Sequence, residues 1–86
     1  AVDQAPAADE EIAAQQTRDL VLSALQAVAE DRRPVFVLHD IDATSMPDIA
    51  AALGIPLNTG YSRLRLARAE FAAAVKRIQT RSLRHE

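Results

Sequence analysis

Residues 53–71 read LGIPLNTGYSRLRLARAEF, and the fold turns on which period in that stretch is real. Arg63, Leu64, Arg65 and Leu66 alternate polar and apolar like a half-buried strand, whereas Gly54 and Pro56 ahead of them look like punctuation before a helix. The alternation lasts four residues before Ala67-Arg68-Ala69 breaks it. Helical geometry does better. With Leu64 at zero and a turn of about 100° per residue, Leu57, Gly60, Ala67, Phe71, Val75 and Ile78 all fall within about 60° of it. One continuous apolar stripe predicts a helix over about 56–80.

On the same wheel Asn58, Tyr61, Ser62, Arg65, Leu66 and Ala69 point the other way, with Arg63 on a flank. That face carries an amide, a phenol, a hydroxyl, a guanidinium and apolar groups, with no acid until Glu70. Asn and Arg can pair with base edges in two hydrogen bonds, and Leu or Ala can touch a thymine methyl, so the face suits a DNA major groove.

Working outward, Ser45-Met46-Pro47-Asp48 is a helix start: a Ser cap, Pro in the first turn and a carboxylate three residues past the cap. The third helix is therefore short, about Met46 to Leu53, and Gly54 ends it as a residue tolerant of positive φ. Ala50 lies four residues before Gly54, where two helices must approach closely, and Ile49, Leu53 and Ile55 supply the seam. Together the two helices make a helix-turn-helix. Structural helical hairpins use the same seam, so at this point DNA binding is one of two readings.

Further upstream, Asp9 starts a helical pattern over about 9–29, with Glu10 and Glu11 in its first turn and Val21, Leu22, Leu25 and Val28 as its apolar stripe. Glu30 to Arg33 is a charged break. Asp31 is then placed to cap a second helix carrying Val35, Phe36, Leu38 and Ile41, with Pro34 tolerated in its first turn. Asp40 to Thr44 leads out into a turn. Residues 1–8, AVDQAPAA, have nothing to bury and read as a disordered linker, leaving 9–86 as one domain. The fold class is all-α: a four-helix domain with a C-terminal helix-turn-helix.

Composition agrees. The chain has 86 residues, room for one small domain that buries only ~60% of its unfolded surface. Apolar residues are 49% of it, yet only Phe36, Tyr61 and Phe71 are aromatic and alanine carries much of the total, which suits closely packed short helices. With no cysteine there is neither a disulfide nor a thiolate metal site, a composition compatible with a reducing cytoplasm. The longest apolar runs fall far short of a membrane span and no signal peptide opens the chain, which predicts a soluble protein. An initial Ala in place of Met predicts a processed product or a piece of something longer.

Net charge is -2, but the distribution is uneven. Residues 1–60 hold three basic side chains against ten acidic ones; residues 61–86 hold seven (Arg63, Arg65, Arg68, Lys76, Arg77, Arg81, Arg84) against Glu70 and Glu86. An acidic body with a basic C-terminal arm fits one element meeting phosphates while the rest does not, although a basic helix end also complements its own dipole.

The run RRPVFVLHDIDATSMPDIAAALGIPLNTGYSRLRLAR, residues 32–68, resembles the C-terminal domain, region 4, of sigma-70-type sigma factors, in particular the extracytoplasmic-function group. The pattern S-x-x-x-I-A-x-x-L-G-I-P-x-x-T-x-x-S-R-L-x-x-A-R runs here from Ser45 through Ile49, Ala50, Leu53, Gly54, Ile55, Pro56, Thr59, Ser62, Arg63 and Leu64 to Ala67 and Arg68. The resemblance covers about residues 20–75. It implies a four-helix domain that binds the promoter -35 element with its last helix and holds the β flap of RNA polymerase, in the cytoplasm, with an anti-sigma factor as a further partner. It places Tyr61, Ser62 and Arg65 at bases or phosphates, with Thr59 and Arg63 near the backbone. Gly60, Tyr61 and Leu66 depart from the residues common in the family. Nothing like region 2, which melts the -10 element, is present, so residues 1–19 correspond to the end of an interdomain linker.

The DNA-facing set is thus Asn58, Thr59, Tyr61, Ser62, Arg63, Arg65, Leu66 and Arg68. Arg65 and Ser62 are the base readers; Arg63 and Arg68 are phosphate or intradomain partners; Asn58 and Thr59 either touch DNA or cap the helix; Leu66 reads or leans on a neighbouring helix. His39 and Asp42 stand at i,i+3 but two ligands without a third make a poor metal site. No Ser/His/Asp set, phosphate-cradling Gly loop or carboxylate pair supports catalysis, and no cofactor is implied. Leu64, Ala67, Phe71, Ala74 and Ile78 repeat at three and four, for packing on the first helix or a coiled-coil seam with a partner. Two other functions share these features: the output domain of a dimeric helix-turn-helix regulator, and a protein-interaction module whose basic helix meets an acidic partner.

Overall fold

The computed structural model describes residues 8–84. The expected linker at 1–8 lies outside the described residues except for Ala8, which opens the first helix. Among the described residues there are four α-helices and no strand: α1 (Ala8–Gln26), α2 (Arg33–Phe36), α3 (Met46–Leu53) and α4 (Leu57–Arg84), with α2 running straight on into a π-helical turn, Val37–Ile41.

Helix α1 stops at Gln26, short of the expected residue 29, and a tight turn carries Val28 into the core instead. No residue of α1's last turn is basic. Arg33, from the next element, supplies the missing charge: its Nε donates to Leu25 O at 2.9 Å and its Nη2 to Gln26 O at 3.3 Å and Val28 O at 2.8 Å. A cation donating to a helix's last carbonyls satisfies both their hydrogen bonds and the dipole.

Asp31 does not cap α2. The cap position is Arg32, whose side chain makes no capping bond, and Asp31 pairs with the Arg32 guanidinium at 3.2 Å. Nor does the chain turn out at Asp40. Widening into the π turn, closed by Asp42 N–H to Val37 O at 3.0 Å, shifts the register by a residue. Ile41, expected inside, therefore faces solvent, and Asp40 faces α4. Ala43 ends the turn at φ +58, with Thr44 N–H reaching Leu38 O at 2.8 Å.

The core joins Val28, Val35, Phe36, Met46, Ile49, Leu64 and Ala67, with Leu25, Leu38, Ile55 and Phe71 packed around it. The Phe36 and Phe71 rings meet at 4.8 Å between centroids, tilted by 32°. Helix α4 is one rod of 28 residues, about 42 Å long. Gln16 to Ser23 of α1 lie beside Ile78 to Leu83, and Ala29 lies beside Glu70, so α1 runs antiparallel along α4's second half. Each buries an alanine completely, Ala24 and Ala74. The three-and-four repeat of α4 is thus used within the chain.

These helices form a flat slab of 47 × 42 × 14 Å. Every helix therefore keeps a broad face in water, which is why four residues expected in apolar seams do not bury. Leu22 is 61% exposed, with Ala24 taking the inward place on α1, and Leu53, Leu57 and Ile41 also face solvent.

Candidate nucleic-acid interface

The helix-turn-helix forms where its local chemistry predicts. Ser45 is extended (φ -67°, ψ 149°) and its Oγ accepts from the Asp48 amide at 3.3 Å, capping α3. At the other end Gly54 takes φ +68, its N–H returns to Ala51 O at 3.3 Å, and Ile55 N–H reaches Ala50 O at 3.0 Å. That αL cap reverses the chain within three residues, so α4 begins at Leu57 against α3. Ile49 is fully buried and Ala50 nearly so at the crossing.

Gly60 is inside that crossing for a reason the sequence does not display. A Cβ built on it would stand 2.6 Å from Met46 Sδ, closer than any real contact, so the first turns of α3 and α4 meet at a glycine. Met46 is itself 2% exposed and fills the space a larger residue at 60 would take.

With Gly60, Leu64 and Ala67 turned inward, the opposite face of α4 is fixed. Asn58, Tyr61, Ser62, Arg65, Leu66 and Ala69 are all exposed, Tyr61 to 51%. Thr59 and Arg63 are intermediate. Because Leu57 is the first helical residue, Asn58 and Thr59 sit second and third in the helix, past the cap position. Leu66 is 42% exposed.

The arginines of this face divide by their partners. Arg63 Nη1 donates to Asp31 O at 3.3 Å, which turns it back toward the loop after α1. Arg68 donates from Nε and Nη2 to the two oxygens of Asp40, both at 2.7 Å. His39 Nδ1 lies 2.7 Å from the same Asp40 oxygen that Arg68 Nη2 reaches. Arg68's hydrogen bonds hold the Asp40 carboxyl down at about 2, against the opposing effect of partial burial, and His39 adds to the lowering. The same bonds raise Arg68 above its ordinary value. Arg65, by contrast, is exposed and has no hydrogen-bond or ion-pair partner among the described residues.

Sequence reasoning missed the brace behind this face. Arg32 grips Glu70 with two hydrogen bonds of 2.8 Å, and Glu70 Oε1 also accepts from the Ala29 amide at 3.3 Å. The grip lowers Glu70's pKa and raises Arg32's. Glu70 is thus the acid that fastens α4 to the α1–α2 loop. No helix among the described residues is long and apolar enough to cross a membrane.

No curated protein and no solved structure matches the chain significantly. The family model described as Sigma-70, region 4 matches residues 18–71, more than half of the chain, including α3, the Gly54 turn and the first half of α4. That family is non-enzymatic, binds promoter DNA and RNA polymerase, and serves transcription initiation. With the helix-turn-helix built and its outer face laid open, the chain belongs to the sigma-70 region 4 family.

Proposed function

We propose that this domain is region 4 of a sigma factor of the extracytoplasmic-function type, reading the promoter -35 element with the first three turns of α4 while its earlier helices hold the β flap of RNA polymerase. One observation carries the reading. Among Arg63, Arg65 and Arg68, only Arg65 has no partner among the described residues, and it shares its face with exposed Asn58, Tyr61 and Ser62. A free guanidinium beside an amide, a phenol and a hydroxyl is equipped for guanine and adenine edges. Arg65 and Ser62 are the base readers, Tyr61, Asn58 and Leu66 flank them, Thr59 and Arg63 lie toward the phosphates, and Arg68 is held within the domain by Asp40. The site of action is the cytoplasm, where promoter DNA and polymerase are.

Selection of random duplexes, with and without core polymerase, tests this. A directional -35-like site that is enriched more strongly with polymerase is the expected result. A palindromic site bound by two copies would point to a regulator's output domain. No selectivity under either condition would leave an interaction module for an acidic partner such as an anti-sigma factor.

A further inference from the structure

Resting on that reading, we infer that Asp40 is a specificity-determining residue: by closing on Arg68 it removes one positive charge from the DNA-facing surface and so suppresses binding to DNA of arbitrary sequence. Asp40 itself touches no base. It acts through Arg68.

Three observations carry this. The pair is the strongest kind a guanidinium forms, two parallel charge-assisted bonds of 2.7 Å to both carboxylate oxygens. It borders the proposed working surface: exposed Arg68 lies three residues, or about 4.5 Å of helix rise, beyond Arg65 and about 60° round the helix from it, near the direction of Tyr61. Arg68's side chain stays 53% exposed while Asp40's is 24% exposed, so the pair meets the solvent as a neutral unit. The π turn aims Asp40 here, and His39 holds one of its oxygens.

The pair steadies the fold, as the lowered Asp40 carboxyl shows, and it also has a consequence for DNA binding. Affinity for DNA of any sequence comes from cations that displace counterions from phosphates, about 0.9 of a counterion for each phosphate neutralised. An arginine already neutralised by a carboxylate displaces none. Base reading by Arg65 is untouched, so masking Arg68 raises the ratio of specific to non-specific binding.

The test titrates the full chain against a duplex carrying the selected site and against a scrambled duplex, from about 50 to about 200 mM salt. Asp40→Asn keeps the size and removes the charge. It should bind the scrambled duplex more tightly at low salt, and over that fourfold salt range its affinity should fall about 3.5-fold further than the parent's. The specific-to-scrambled ratio should drop. An unchanged slope and unchanged scrambled affinity overturn the inference. The double variant Asp40→Asn with Arg68→Gln deletes the pair without changing net charge and guards against a folding defect of the single variant. It should match the parent's salt slope; a slope shallower by about 0.9 would mean that Arg68 already neutralises a phosphate in the parent, and would overturn the inference. If the parent binds neither duplex at any salt, the promoter reading falls as well, a result distinct from a parent that binds and an Asp40 variant that binds identically.

Discussion

Arg32 and Glu70, 38 positions apart, face each other through two hydrogen bonds of 2.8 Å that fasten the loop after α1 to the middle of α4. The same carboxylate receives the Ala29 amide, so Glu70 serves two partners in a part-buried place. Glu70→Ala leaves the Ala29 amide without an acceptor and Arg32 with Asp31 alone, and an unmet donor costs more than the bond itself was worth. A melting temperature lower by several degrees with an unchanged helical spectrum is expected. Arg32→Ala should lower it less, because Ala29 keeps its acceptor. Equal melting for all three chains would show that the brace contributes nothing.

The pH dependence follows from the same carboxylates. Glu70 and Asp40 are both depressed when folded, Asp40 to about 2 against an ordinary value of about 3.9. A depressed acid contributes stability above its unfolded pKa and loses it as pH falls through the folded one. The stability these two groups contribute should therefore be constant from about pH 8 to pH 5 and decline from about pH 4 toward pH 2. Asp40→Asn and Glu70→Gln should reduce the decline. If the difference between parent and these variants is already lost between pH 8 and 5, the assignment is wrong.

Ala43 holds φ +58, a conformation that costs an L-residue roughly 1–2 kcal/mol and glycine nothing. Glycine also gains freedom in the unfolded chain, which takes back part of the relief. Ala43→Gly should raise stability by about 0.5–1 kcal/mol in denaturant unfolding with the slope unchanged. A loss of stability would mean that the alanine methyl has a packing role that outweighs the strain.

Gly60 and Met46 occupy one space between them. Gly60→Val should destabilise by about 1–3 kcal/mol through overpacking. Adding Met46→Ala empties the volume that the new side chain needs, so the double variant should lose less than the two single losses combined. Strict additivity in that cycle would deny the contact.

On the DNA side, Arg65→Ala should cost about 1–3 kcal/mol on the selected -35 site and relax preference at one base pair. Arg63→Ala should cost less, since Arg63 is engaged with Asp31 O. Anisotropy titrations at fixed salt compare them; an Arg65 variant that binds with the parent's affinity takes that residue off the reading face.

Much of this was legible where the decisive chemistry is local. Ser45 and Gly54 bound α3 at Met46 and Leu53 as their cap preferences predict, and the outward face of α4 follows from the wheel. Periodicity failed where it needed to know how thick the molecule is: Leu22, Leu53 and Leu57 keep helical register but find no layer above them. The π turn has no signature in VLHDI, and its register shift moved Ile41 outward and Asp40 onto α4. Arg32 with Glu70, Arg68 with Asp40 and Met46 with Gly60 join elements distant in the chain, and no spacing announces them.

Helix α4 carries Arg65 near one end and Leu83 near the other on a single unbroken rod, and α1 grips only the second half. A rod cannot bend to isolate its two ends. On the proposed function, a partner that takes hold of the tail would act as a tiller on the end carrying Arg65, Ser62 and Tyr61, about 27 Å away along the helix axis.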